Sequence, residues 1–171
     1  MTGKNYHTIL SGLKEKIKLA RQKAAVAVNN ELLSVYWEIG NAILQQQQEE
    51  GWGAKVIDRL AADLRSEFPD MKGLSVRNLK YMVTFADAYP QFGQQLAAQL
   101  QQNDNQSTKF GQQAAARLPW GHHQLLLDKV QQREERIFYI RKAIENGWSR
   151  NVLMHQIESS LSKTRKCCYK F

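Results

Sequence analysis

Apolar positions recur at spacings of three and four along most of the chain, which is the period of an α-helix with one buried face. From residue 5 to about 28, Tyr6, Ile9, Leu13, Ile17, Ala20 and Ala24 form one stripe, and Lys14, Lys16, Lys18, Arg21 and Lys23 lie mostly off it. A second stripe follows in "NNELLSVYWEIGNAILQQQQEEG", with Leu32, Val35, Tyr36, Ile39 and Ile43 as its core face and Gly51 as its stop. Asn29 or Asn30 has the chemistry to cap a new helix there, but neither forces a break, so one bent helix and two separate ones both fit.

In "GWGAKVIDRLAADLRSEFPD", Val56, Leu60, Ala61 and Leu64 repeat on one side, with Phe68 one turn further, and Pro69 ends the helix. After the turn "DMKGL", Ser75 is placed to cap a helix that runs to Pro90, with Val76, Leu79, Met82, Val83 and Ala86 clustered on one side. Residues 91–118 change character. Glutamine dominates, and "QQNDNQST" has no apolar period. A short helix at 91–101, a linker at 102–109 that could divide the domain, and a minor β element within 102–120 are the expectations for this stretch. Three helical patterns close the chain: "GHHQLLLDKV", then "REERIFYIRKAIENG" with Ile137, Ile140, Ala143 and Ile144 on one face. The last is "WSRNVLMHQIESSLSKTRK", capped by Ser149, with Val152, Leu153, Ile157 and Leu161 inward. Residues 161–171 are basic, lose the period and read as a disordered tail. The fold class expected is all-α, a mostly helical domain over residues 5–160.

Two segments share one grammar of helix, glycine turn, serine cap and a second helix whose first turn carries Arg and Asn. They are "RSEFPDMKGLSVRNLKYM" and "RKAIENGWSRNVLMHQI". That is the layout of a helix-turn-helix, whose second helix offers its start to the major groove. Arginine can fork onto guanine, asparagine onto adenine, and helix-start N–H groups can receive phosphate. Arg77, Asn78, Lys80 and Tyr81 are therefore the preferred reading set, and Arg117, Arg141, Lys142 and Arg150 the candidate phosphate contacts. The same helices also fit a protein–protein contact or a solvated face, and the second pair also fits simple packing.

Charge changes the picture modestly. Of 171 residues, 24 are basic and 16 acidic, for a formal net charge of +8. The surplus rises from 6 against 5 in residues 1–50, through 8 against 6 in 51–120, to 10 against 5 in 121–171. A polyanionic partner is favoured but not specified. At 43% hydrophobic and 23% charged, the composition is that of a folded domain. No run approaches the ~18 apolar residues of a bilayer span, and the N-terminus lacks a signal-peptide core. No membrane and a cytoplasmic location are expected.

Catalytic chemistry is not legible. Asp58 and Asp63 accompany Arg59 and Arg65 as on any charged helix face, and Glu134 and Glu135 sit in a solvated run. His122 and His123 are adjacent and point apart, with His7 and His155 distant, so no metal-ligand spacing exists. Cys167 and Cys168 are neighbours at the chain's end, without ligand or staple spacing. No glycine motif cradles a phosphate. No enzyme, metal or cofactor is expected.

The stretches "LLSVYWEIGNAILQQQQEEGWGAKVIDRLAADLRSEFPDMKGLSVRNLKYMVTFADAYP" and "LPWGHHQLLLDKVQQREERIFYIRKAIENGWSRNVLMHQIES" closely resemble the N-terminal domain of the bacterial YhcG-like proteins, over residues 10 to 159. The resemblance implies a helical module similar to winged-helix or helix-turn-helix DNA-binding domains. In the family it usually precedes a PD-(D/E)XK nuclease domain, and the pair is thought to act on DNA. Tyr36, Trp37, Gly40, Trp52, Phe85, Trp120 and Trp148 would be mostly architectural members of its pattern. The likeness ends after Ser159, so the expectation here is a DNA-binding module without the catalytic half. A two-fold dimer, joined through the helices at 5–48, would pair half-sites on double-stranded DNA. The alternative is a helical oligomerisation or protein–protein interaction scaffold.

Overall fold

The computed structural model describes residues 3–90, 92 and 117–159. Among these residues there are helices and no strand, so the all-α expectation holds. The helices are α1 (Gly3–Glu49), α2 (Ala54–Glu67), α3 (Val76–Ala88), α4 (Trp120–Lys129), α5 (Arg133–Asn146) and α6 (Arg150–Glu158). The expected helix at 91–101, linker at 102–109, most of the β element and the tail at 161–171 lie outside the described residues. Residues 117–120, the end of that β stretch, form a turn leading into α4.

The undecided break near Asn29 does not occur. Both N-terminal stripes belong to one helix of 47 residues, about 70 Å long at 1.5 Å per residue. Asn29 does not cap: its amide Nδ2 donates to the Leu118 carbonyl at 3.0 Å, tying the middle of α1 to the start of α4. The helix ends at Gly51, whose φ of +66° is the left-handed conformation that glycine adopts without a Cβ clash.

Two adjoining core clusters hold the bundle together. One gathers Leu33, Phe85, Tyr89, Phe92, Leu118, Leu125, Leu126, Val130, Tyr139, Ile140, Ala143 and Leu153. The other gathers Tyr36, Ile43, Ile57, Ala61, Leu79 and Met82. α1 enters both, and Trp120 packs against both. Phe92 and Leu118, which flank the glutamine-rich stretch, share a single cluster.

The buried faces differ in detail from the pattern read along the chain. On α2 the inward positions are Ile57 and Ala61, while Val56 and Phe68 are exposed. On α3 they are Asn78, Leu79, Met82, Phe85 and Ala86. Phe85 is fully buried and meets Tyr89, Phe92, Trp120 and His123 with ring centroids 5.1 to 5.4 Å apart.

Both serine caps form as expected. The Ser75 hydroxyl accepts from the Asn78 N–H at 3.3 Å and the Ser149 hydroxyl from the Val152 N–H at 3.4 Å. The two glycine turns achieve the same layout for different reasons. Gly147 caps α5 at φ +61°, a left-handed position. Gly73 is needed for room, since a Cβ there would stand 2.1 Å from the Tyr36 hydroxyl. Gly147 has open space around it, so Gly147→Ala meets backbone strain alone and is expected to cost about 1–2 kcal/mol. Chemical denaturation of the variant beside the parent measures it.

A cationic cleft at two helix starts

The two echoing helix starts converge in space. A cleft of about 510 Å³ is lined by Lys72, Gly73, Ser75, Arg77 and Asn78 from the α3 start and by Arg150 from the α6 start. Trp120, Gln124 and Asp128 of α4 and Tyr36 of α1 complete the wall. Three cations, Lys72, Arg77 and Arg150, face one carboxylate, and all three are exposed. The stem of Arg150 lies over Gly121, where a Cβ would sit 3.6 Å from its Cδ.

Asn78, expected to read a base, is instead a strut in the floor of this cleft. It is buried at 8% exposure. Its Oδ1 accepts from the Trp120 indole N–H at 2.7 Å and from Gln124 Nε2 at 2.8 Å, and its Nδ2 donates to the Gly73 carbonyl at 2.5 Å. The amide orientation is set by chemistry, because an indole N–H can only donate and a backbone carbonyl can only accept. The groups that would fork onto adenine are thus engaged within the protein. The spacing held a signal that was missed: Asn78 stands four before Met82 and seven before Phe85, on the inward stripe.

Tyr81 and Arg77 form a chain along the rim. The Tyr81 hydroxyl donates to the Asp128 carboxylate, with oxygens at 2.7 and 2.9 Å, and receives Arg77 Nη2 at 3.5 Å. The Arg77 guanidinium also lies 5.7 Å from the centre of the Tyr81 ring. The hydrogen bond to Tyr81, then its Coulombic attraction and a smaller one from Asp128, push the Arg77 pKa up. Burial raises the Tyr36 phenol at the cleft wall, which keeps that hydroxyl neutral.

The remaining expected contacts stand elsewhere. Lys80 is exposed on α3, and Arg117 is exposed beside Leu118; neither lines the cleft. Arg141 is exposed on α5, and Lys142 pairs with Glu145 on the same helix. Lys72, Gln124 and Asp128 were not singled out from the sequence. Lys72 stands in the turn just before Gly73, and only the approach of α4 and α6 shows what it faces.

The helix histidines are built into the packing. His122 Nε2 lies 2.9 Å from the Trp148 carbonyl, so that nitrogen carries its hydrogen and donates. Among the described residues, no three His, Cys, Asp or Glu side chains come together as a metal cage, and no helix is long and apolar enough to cross a membrane. The Asp63 carboxylate pairs with Arg59 at 3.8 Å on an exposed face of α2.

The match that decides the family runs from residue 12 to residue 164, on the model for the DUF1016 N-terminal domain. The chain belongs to that family. It is the N-terminal module whose motifs the sequence resembles, and Tyr36, Gly40, Phe85 and Trp120 of that pattern are all found where its helices meet. No curated protein and no solved structure matches the chain.

Proposed function

We propose that this DUF1016 N-terminal domain binds double-stranded DNA by seating the phosphate backbone in the cleft between the α3 and α6 starts. The observation that carries the reading is the convergence of Lys72, Arg77 and Arg150 on one cleft beside two serine-capped helix starts. Unpaired N–H groups at helix starts and a positive macrodipole end favour an anion there. The three cations add charge-assisted hydrogen bonds, the arginines in forked geometry. In this reading Arg77 and Tyr81 stand at the cleft that meets the phosphate backbone, and Asn78 supports it from beneath. Lys80, Arg117 and Arg141 are expected to add weaker flanking attraction, since they stand outside the cleft.

Fluorescence anisotropy of a labelled duplex, titrated at several salt concentrations, tests this. Parent protein is expected to bind with an affinity that falls steeply with salt as counterions are released. Arg77→Ala with Arg150→Ala is expected to lower affinity by about tenfold or more and to reduce the salt slope by about 2, one for each phosphate that is no longer neutralised. Lys80→Ala with Arg141→Ala is expected to do less. Equal losses in the two pairs would reduce the cleft to a general charge effect, and unchanged binding in the first pair would sink the reading.

A further inference from the structure

The N-terminal half of α1 stands away from the bundle. Asn29, tied to Leu118, marks where the helix reaches α4, and every residue from Ser11 to Ala25 is exposed. Yet this arm carries a continuous apolar seam. Tyr6, Leu10, Leu13, Ile17, Ala20, Ala24 and Ala27 alternate in steps of four and three, the 3.5-residue repeat of a helix that pairs with another helix. On the seam Tyr6, Leu13 and Ile17 remain 64%, 51% and 55% exposed, and Leu10 is half-buried, so no other helix of the described fold covers Tyr6, Leu13 or Ile17.

The seam is fenced by positive charge on both sides. At 100° per residue, Lys14 and Arg21 follow one edge and Lys16 and Lys23 the other. From residue 3 to residue 30 there are six cations and one carboxylate, Glu15, which already pairs with Lys18 at 2.8 Å. Averaged over residues 1–50 this charge is hidden, because the acidic residues crowd into the other half of α1.

These charges select the occupant. A second copy in parallel would bring Lys16 of one chain to Arg21 of the other, and an antiparallel copy would set each row of cations against itself. Both orientations cost like-charge repulsion. An anionic bilayer would satisfy the cations, but Ala20, Ala24 and Ala27 offer it little apolar area. The same alanines let another helix approach closely. We infer that the α1 arm is a docking surface for an amphipathic helix of a partner protein, with apolar residues on its seam and acidic residues at both edges.

The 171-residue chain and a synthetic four-heptad peptide, leucine at its seam and glutamate at both edges, provide the test. Titration calorimetry is expected to show binding near about 1–10 μM, weakened by salt, and no binding of the same peptide with lysine for glutamate. Leu13→Asp with Ile17→Asp is expected to weaken binding by about tenfold or more, with helicity and melting temperature unchanged because both side chains are exposed. If that variant does not fold, Lys16→Glu with Lys23→Glu serves instead. It is expected to reject the glutamate peptide and admit the lysine one. Equal binding of both peptides overturns the inference. So does a dimer in sedimentation of the protein alone that the aspartates dissolve, which would make the second copy the occupant. Loss of phosphatidylglycerol-vesicle binding in the aspartate variant, with no peptide binding by the parent, would assign the arm to membranes and overturn it too.

Discussion

Gly40→Ala is expected to destabilise the protein by about 3 kcal/mol, the upper end of the usual range for overpacking. For a chain of this length that lowers the melting temperature by about 6–12 °C. Gly40 sits where α1 crosses α3. A Cβ built there would lie 2.0 Å from the Met82 carbonyl oxygen, 2.3 Å from its carbon and 2.9 Å from the Val83 nitrogen. All three are backbone atoms within a helix, so no rotamer change relieves the clash; the two helices must move apart. That separation would loosen Tyr36, Ile43, Leu79 and Met82, which share one core cluster at this crossing.

The sign of the effect makes the test sharp. In a helix interior with free space, glycine to alanine stabilises by about 1 kcal/mol, because alanine loses less backbone entropy on folding. Gly12 supplies that comparison on the same helix, with nothing within 4 Å of its would-be Cβ. Gly12→Ala is therefore expected to raise the melting temperature slightly and Gly40→Ala to lower it. Denaturant titration of the two variants checks both, and a stabilised Gly40→Ala would show that the helices do not cross this closely.

The second large effect is expected at Asn78. Asn78→Ala removes the acceptor for the Trp120 indole and the Gln124 amide, and the donor to the Gly73 carbonyl. Each buried polar group left without a partner costs about 1–3 kcal/mol, although the opening of the cleft lets water relieve part of this. A net loss of about 2–3 kcal/mol is expected from that range. Asn78→Asp is also unfavourable, because it points a carboxylate oxygen at a carbonyl. Arg77→Ala, one residue away and exposed, is expected to leave stability within about 0.5 kcal/mol. The neighbours are thus expected to divide: stability should follow residue 78, and the proposed DNA affinity residue 77. A variant of Asn78 that kept full stability while changing base preference would restore it as a reading group.

How much of the site was legible follows from the range of the forces involved. Ser75 and Ser149 were readable as caps because a cap joins residues three apart. Gly147 was readable as a stop for the same reason. Arg77 and Arg150 were readable as the polar residues at two helix starts, but not as neighbours, since residues 78 to 149 separate them in the chain. Asn78 was expected to read a base from its residue type, while its inward position pointed to the internal partners it has. An asparagine at an inward position is tolerated only when partners arrive from elsewhere, and here Trp120 and Gln124 arrive from α4.

The sequence by itself determined the helical class, α2 to α6 with the serine caps and glycine turns, the family and the surplus of positive charge, because each rests on local periodicity or on composition. Tertiary structure alone decided which stripes found partners. The two stripes of α1 look alike along the chain, yet Tyr36 and Ile43 are buried while Leu13 and Ile17 face solvent. A helical period says that a face wants cover, and only the packing of the other helices says whether the chain supplies it.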